Sequence, residues 1–495
     1  MRIKSILPRA ALLAALVAAA ACARGGLPPV ERASARRLPL RLCRVRDVTE
    51  DLLCGSLEVF ENRERRSGRK ISLNVVVIPA QIPAPRPDPT FHLEGGPGIA
   101  ATMAAGVYVN LLPGYRRDRD VVLVDQRGTG GSNPLTCDLS SDTPNPGGRL
   151  DEMYPPAAVA ACRERLGPSA DLTLYTTPIA MDDLDDVRAW LGYDRINLVG
   201  LSYGTRAALV YMRRHPDHVR SAVLMGVAPT NLKMPLHHAS DAQRAMDLLF
   251  DDCAADLECH AAFPKVKEEL VDLLDRLDRE AARVRYTPPG SDRSIGLVIR
   301  REIFAEKLRV MLYEAGVARR LPLVIHRAFE GDFNPLLAVA LGGAGGPPAL
   351  AEGMYLSVTC PEDTRLIDAD EAKRLTEGTY FGDYRVAQQT RACSLWPEAE
   401  LPVGYAAPLV SDAPVLMISG YLDPVTPPAW AEEVLHHLPH GRNLVLRHGG
   451  HLPTDMSGGR CMDRMILSFL DRGSSEDLDT SCMKEMIPPP FALQP

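Results

Sequence analysis

Three residues of this chain carry chemistry in a telling order: Ser202, then Asp423, then His451. A serine hydroxyl becomes a nucleophile when a base takes its proton, and an imidazole base works best when a carboxylate orients it. Ser202 sits in Gly200-Leu201-Ser202-Tyr203-Gly204, after an apolar β-like run, Arg195–Val199, and before a helix-like run, Thr205–Arg214. A serine between two glycines at a strand-to-helix turn is a nucleophile elbow. The turn strains the serine backbone and lifts its hydroxyl above the sheet, while a bulky side chain two positions to either side would strike the neighbouring strand and helix. The helix that follows points its N-terminal N–H groups at the site, where they favour a developing oxyanion.

Asp423 and His451 each follow a strand-like run, Val415–Ser419 and Asn443–Leu446. His448 is the rival base in His448-Gly449-Gly450-His451, and His451 is favoured because the glycine before it leaves room for the ring to turn toward the serine. The two histidines also have the composition of a metal pair, but no cysteine or carboxylate cluster accompanies them locally. An oxyanion hole needs two N–H donors. The amide of Tyr203 is one, and Gly95 or Gly96 of the loop Glu94-Gly95-Gly96-Pro97-Gly98 is the other, since glycine lets backbone approach a substrate closely.

The elements that must hold these groups alternate. Strand-like runs occupy Ser56–Phe60, Ile71–Ile78, Thr90–Leu93, Asp120–Asp125 and Ser221–Met225, with a helical period over Ile179–Leu191. Such alternation predicts a mostly parallel, doubly wound α/β sheet. It stops near Thr230, and the chain then reads as helical and charged, for example over Lys265–Arg285 and Arg301–Glu314, before sheet character returns near Val415. The expected organisation is a first part of the α/β core over 46–230, a helical insertion over 231–410, and a second core part with a C-terminal tail over 411–495. Two Pro/Gly-rich loops, Asp142–Gly148 and Gly342–Pro348, read as connectors, the second lacking the strand and Lys-Ser/Thr of a phosphate loop.

With 495 residues, 46% of them hydrophobic, and a net charge of −7, the chain has ample material for a core and no basic stripe for nucleic acid. Arg2 and Lys4 precede an apolar, Ala-rich run, Ile6–Ala21, as in an export signal spanning 1–23. Ala19-Ala20-Ala21-Cys22 also resembles a bacterial lipobox, which would end the signal at 21 and place a lipid anchor on Cys22, the one membrane attachment expected. Residues 24–45 then read as a flexible, Pro- and Arg-rich lead. Of 11 cysteines, ten remain once Cys22 is removed or acylated, and neighbours in sequence suggest the pairs Cys43–Cys54, Cys137–Cys162, Cys253–Cys259, Cys360–Cys393 and Cys461–Cys482, a connectivity that sequence alone does not fix. Structural zinc is disfavoured by the absence of any Cys-x-x-Cys.

Taken together, Glu94-Gly95-Gly96-Pro97-Gly98, Asp125-Gln126-Arg127-Gly128-Thr129-Gly130-Gly131-Ser132, the elbow, Asp423 and His451 resemble the prolyl-aminopeptidase/tripeptidyl-aminopeptidase group of α/β-hydrolase serine peptidases. The likeness covers residues 50–230 and 410–470. It implies an α/β-hydrolase fold with a helical cap, removal of residues from free peptide N-termini, and no cofactor or metal. It also implies a carboxylate for the substrate ammonium. Val358–Asp363 is similar to a cap segment of exported relatives, so Glu362 is the first candidate, with Glu94 behind it; the family often has His where Glu94 stands. Arg127 is expected to tie loops together. The alternatives are a carboxylesterase or lipase with the same triad and a non-catalytic binding lipoprotein. An aspartate-nucleophile reaction is disfavoured because the elbow carries serine.

Overall fold

A computed structural model describes residues 40–137, 139, 150–288, 292–341, 350–452 and 456–494. The signal, Cys22 and the two Pro/Gly-rich loops lie outside the described residues. Among the described residues, eleven strands carry the labels used below: β1 (Arg41–Cys43), β2 (Leu52–Phe60), β3 (Lys70–Ile78), β4 (Thr90–Leu93), β5 (Val121–Val124), β6 (Ile196–Leu201), β7 (Val219–Met225), β8 (Ala282–Tyr286), β9 (Ile295–Ile299), β10 (Val415–Gly420) and β11 (Gly441–Leu446).

Nine of them form one sheet in the order β1-β2-β3-β5-β4-β6-β7-β10-β11. The β1–β2, β2–β3 and β3–β5 pairs are antiparallel, and every pair from β5 through β4, β6, β7 and β10 to β11 is parallel. This is the α/β-hydrolase fold. Alternation along each strand divides the core. Val122, Val124, Leu198, Ala222, Leu224, Val415 and Met417 pack on one side with the helices Thr177–Trp190 and Tyr203–Arg214. Their neighbours Val121, Leu123, Val199, Val223, Leu416 and Ile418 pack on the other side with the C-terminal helix Gly459–Arg472. Side chains at successive strand positions point to opposite faces, so a strand covered on both faces must be apolar throughout. Each such fully buried Val, Leu or Ile contributes roughly 1.5–3 kcal/mol. Together they make the central strands rigid supports for the loops at their C-terminal ends.

The chain leaves the sheet after β7 and rejoins it at β10. Between them the helices His238–Ala255, Val266–Arg279, Arg301–Met311 and Leu321–Phe329 build a separate apolar cluster around Met246, Leu270, Phe304 and Leu321. This stretch is not helical throughout. The expected helix Lys265–Arg285 ends at Arg279, and β8 and β9 form an antiparallel hairpin. Ala282-Arg283-Val284-Arg285-Tyr286 alternates small or apolar with charged residues, a period of two inside a charged segment. β1 is a further strand, too short for periodicity to reveal.

Five disulfides join Cys43–Cys54, Cys137–Cys162, Cys253–Cys259, Cys360–Cys393 and Cys461–Cys482. With Cys22 cleaved off or acylated, the protein is expected to show no reactive thiol when titrated under denaturing, non-reducing conditions. Two or more thiols per chain would contradict the pairing.

Candidate active site

β6 ends at Leu201, and Ser202 takes φ 56° and ψ −122° before the helix Tyr203–Arg214 begins. A non-glycine residue held there stores on the order of 1–3 kcal/mol of strain. The tight packing that holds it is measurable at the flanking glycines. A Cβ on Gly200 would lie 2.5 Å from the carbonyl oxygen of Gly204, and one on Gly204 would lie 2.0 Å from that of Leu93.

Above the elbow, His451 Nε2 lies 2.9 Å from Ser202 Oγ, and His451 Nδ1 lies 2.9 Å from Asp423 Oδ2. All three come from loops at the C-terminal ends of strands: β6, β10 and β11. Asp423 Oδ1 accepts the N–H groups of Val425 and Thr426 at 2.8 and 2.9 Å. Burial works to raise the Asp423 carboxyl, but the neighbouring His451 and these amides outweigh it and hold the carboxyl below its ordinary range. Asp423 is therefore charged and able to accept the Nδ1 proton of His451, which leaves Nε2 to receive the serine proton.

Two neighbours of this line escaped the sequence reading. Thr426 donates its hydroxyl to Asp423 Oδ2 at 2.8 Å and lies 3.1 Å from His451 Nδ1. Its signal is an ordinary Asp-x-x-Thr turn spacing. Tyr313 stands edge-on to the His451 ring, 4.9 Å between centroids. It comes from the segment between β7 and β10, and no local pattern marks it.

Tyr203 is the first residue of its helix, so its N–H has no intrahelical acceptor. Gly95 passes so close to the elbow that a Cβ on it would lie 3.2 Å from Ser202 Cβ. Gly96 has φ 110°, a conformation that glycine alone adopts readily, and it carries the loop over the serine. The candidate donors Gly95 and Tyr203 thus flank one hydroxyl, with Gly96 next along the loop. The insertion lies against the same loops. Ala351 N–H donates to the Gly98 carbonyl at 3.0 Å, and Leu452 N–H, next to His451, donates to that of Tyr313 at 2.9 Å.

Arg127 is fully buried. Its Nε and Nη2 bind Asp183 at 2.6 and 2.9 Å, and Nη1 donates to the carbonyls of Glu61 and Leu174. It ties three segments together away from the serine. Glu94 is partly open, with 17% of its side chain exposed, and its carboxylate pairs with His92 Nε2. Burial pushes the Glu94 carboxyl up, and His92 more than offsets this, so the group is held below its usual range.

Glu362 differs from expectation. It has no exposed surface, and its oxygens are taken by Thr177 N–H and Thr177 Oγ1, both at 2.7 Å, and by the Tyr405 hydroxyl. Thr177 Oγ1 also meets the Tyr203 hydroxyl at 2.8 Å. A carboxylate closed on every side presents no face to a substrate amine; instead it braces the residue after the nucleophile. Glu362→Gln puts an amide NH2 against one of these donors, at about 1–3 kcal/mol. Turnover of free-amine peptides and of aryl esters is expected to fall by the same factor, with a lowered Tm. Selective loss on peptides alone would restore Glu362 as the amine anchor.

Among the described residues one group has metal-ligand spacing, Asp185 with His215 and His218. Asp185 is already held by Arg188 at 2.6 Å and by the Tyr211 hydroxyl at 2.8 Å, so a cation there would compete with a resident guanidinium.

Known proteins share this framework. Residues 93–293 match the family described as alpha/beta hydrolase fold, and residues 378–482 match TAP-like protein. The serine protease Hip1 of Mycobacterium tuberculosis is 24% identical over 87% of this chain and 87% of its own length. The tripeptidyl aminopeptidase of Streptomyces lividans is 25% identical over 96% and 90%. A probable proline iminopeptidase of Streptomyces coelicolor is 31% identical over 29% of this chain and 34% of its own. Among solved structures, the proline iminopeptidase of Mycobacterium smegmatis covers 85% of this chain and 98% of its own at 16% identity and a TM-score of 0.38.

Proposed function

We propose, for a chain that belongs to the α/β-hydrolase serine peptidases of the tripeptidyl- and prolyl-aminopeptidase group, that it is an exported aminopeptidase acting on short peptides with a free N-terminus. The observation that carries this reading is the buried hydrogen-bonded line from Ser202 through His451 to Asp423 at a strained elbow, with an insertion packed against the loops around it. Ser202 Oγ attacks the peptide carbonyl while His451 Nε2 takes its proton. Asp423 and Thr426 hold the imidazole, and the resulting imidazolium is stabilised by the Asp423 charge. The carbonyl oxygen becomes an oxyanion between the N–H groups of Gly96 (or Gly95) and Tyr203. His451 then protonates the leaving amine, and water, activated by the same base, releases the acyl group.

The segment 231–410 serves as a cap over this centre. It restricts entry to short chains, as an exopeptidase requires. Glu94 is the proposed amine anchor. It is charged, partly open, and one residue from the glycines that flank the oxyanion. Export is supported by the basic and apolar start of the sequence and by ten cysteines joined in five pairs.

A panel of aminoacyl and tripeptidyl chromogenic amides, each with a free and a blocked amine, tests the reading. Free-amine substrates are expected to be turned over at least about tenfold faster, the worth of one charge-assisted contact. Equal turnover of blocked and free substrates would remove the aminopeptidase assignment. Hydrolysis of esters alone would make the protein a carboxylesterase.

A further inference from the structure

The amine anchor accounts for one end of a short peptide. Next to the candidate site is a group of opposite sign that the proposed chemistry does not use. Arg385, on the helix Tyr384–Ser394, sends Nη1 to the Tyr154 hydroxyl at 3.2 Å and Nη2 to the Tyr355 hydroxyl at 2.8 Å, with Met153 Sδ against Nη1. Its guanidinium carbon stands 5.6 and 5.8 Å from the two ring centroids. Its Nε is buried without a hydrogen-bond partner. Among the described residues it forms no ion pair. The nearby carboxylate of Glu306 is already held twice by Arg309, at 2.8 and 2.6 Å.

Two routes of contact run from this part of the insertion to the reacting centre. Arg309 Nη1 donates to the Tyr313 hydroxyl at 3.1 Å, and the Tyr313 ring rests on His451. Tyr355, in turn, stands in the first turn of the helix Glu352–Glu362, whose entry residue Ala351 is hydrogen-bonded to Gly98 of the oxyanion loop. A guanidinium with no ion pair and a buried, unbonded Nε favours an anionic partner. The tyrosines offer ring faces and hydroxyls but no charge. The ligand that satisfies this set is an anion small enough to meet a guanidinium set between two tyrosines.

We propose that Arg385, flanked by Tyr154 and Tyr355, forms a subsite for a carboxylate of the bound substrate, so that the enzyme selects short peptides carrying a free C-terminal carboxylate or an acidic side chain within reach. The subsite rests on the peptidase reading above and adds a substrate class to it.

The test compares kcat/KM on three matched peptides: a free acid, its C-terminal amide, and an amide of the same length bearing one Asp. The wild-type protein is expected to favour the acid, the Asp-bearing amide, or both by on the order of tenfold or more over the neutral amide, mainly through KM. Which of the two is favoured identifies the source of the carboxylate. The preference is expected to fall to within about twofold in Arg385→Met and to be intermediate in Arg385→Lys, where charge remains without the planar fork. Equal wild-type turnover of all three peptides overturns the subsite while leaving the peptidase reading in place, and it needs no variant to fold. A preference that survives Arg385→Met also overturns it. If no peptide is cleaved, the peptidase reading fails, and the subsite is read on aryl esters of succinic acid against those of its monomethyl ester. Equal turnover of that pair rejects the subsite as well.

Discussion

Ser202→Ala is expected to lower kcat on every substrate by about 10⁴-fold or more while leaving the fold and the Tm near those of the parent. Only one oxygen is lost, and its partner His451 keeps its bond to Asp423. The alanine inherits a backbone with φ 56°, so no strain is relieved and none is added beyond what serine already bears. Circular dichroism and kcat on a chromogenic amide check the two halves. A variant retaining more than a few per cent of activity would mean that Ser202 is not the nucleophile. Labelling of the parent, but not the variant, by a fluorophosphonate gives the same answer without a substrate.

His451→Ala is expected to match Ser202→Ala in severity, and the double variant to be scarcely worse than either, because nucleophile and base act as one unit. His448→Ala should stay within about threefold of the parent, the scale of an exposed contact. The geometry separates the two histidines. His451 is buried between Ser202 and Asp423, whereas His448 is about one-quarter exposed and turns its Nδ1 to Asp252 in the insertion at 3.3 Å. Single-turnover kinetics on both variants at one pH decides the matter. A larger loss from His448→Ala would move the base.

The sheet was legible because its central strands are covered on both faces. Such strands are apolar without interruption, and Asp120–Asp125 or Ser221–Met225 can hardly be read otherwise. The Ser202–His451–Asp423 line was legible for a related reason: Ser202 and Asp423 stand within three residues after such strands, and His451 stands five residues after the edge strand β11. What could not be read were partners brought from afar. Glu362 is a polar residue ending a buried helix, and only folding reveals that Thr177, 185 positions away, and Tyr405, 43 positions away, consume its oxygens. Tyr313 and Arg385 belong to stretches whose local pattern speaks of helix ends and nothing more. The hairpin of β8 and β9 was lost in a run of charges whose period of two is brief.

The connectivity of the five disulfides has a consequence for how the chain is made. The ten cysteines after Cys22 pair first with second, third with fourth, and so on to the end, at sequence separations of 11, 25, 6, 33 and 21 residues. No bridge encloses another and none crosses another. With Cys22 removed or acylated, a chain emerging N-terminus first into an oxidising space therefore meets each correct thiol before any later one arrives. An oxidase acting on successive thiols in order of emergence produces the native set, and an isomerase has nothing to correct. Refolding the whole reduced chain from denaturant discards that ordering, because all ten thiols then compete at once.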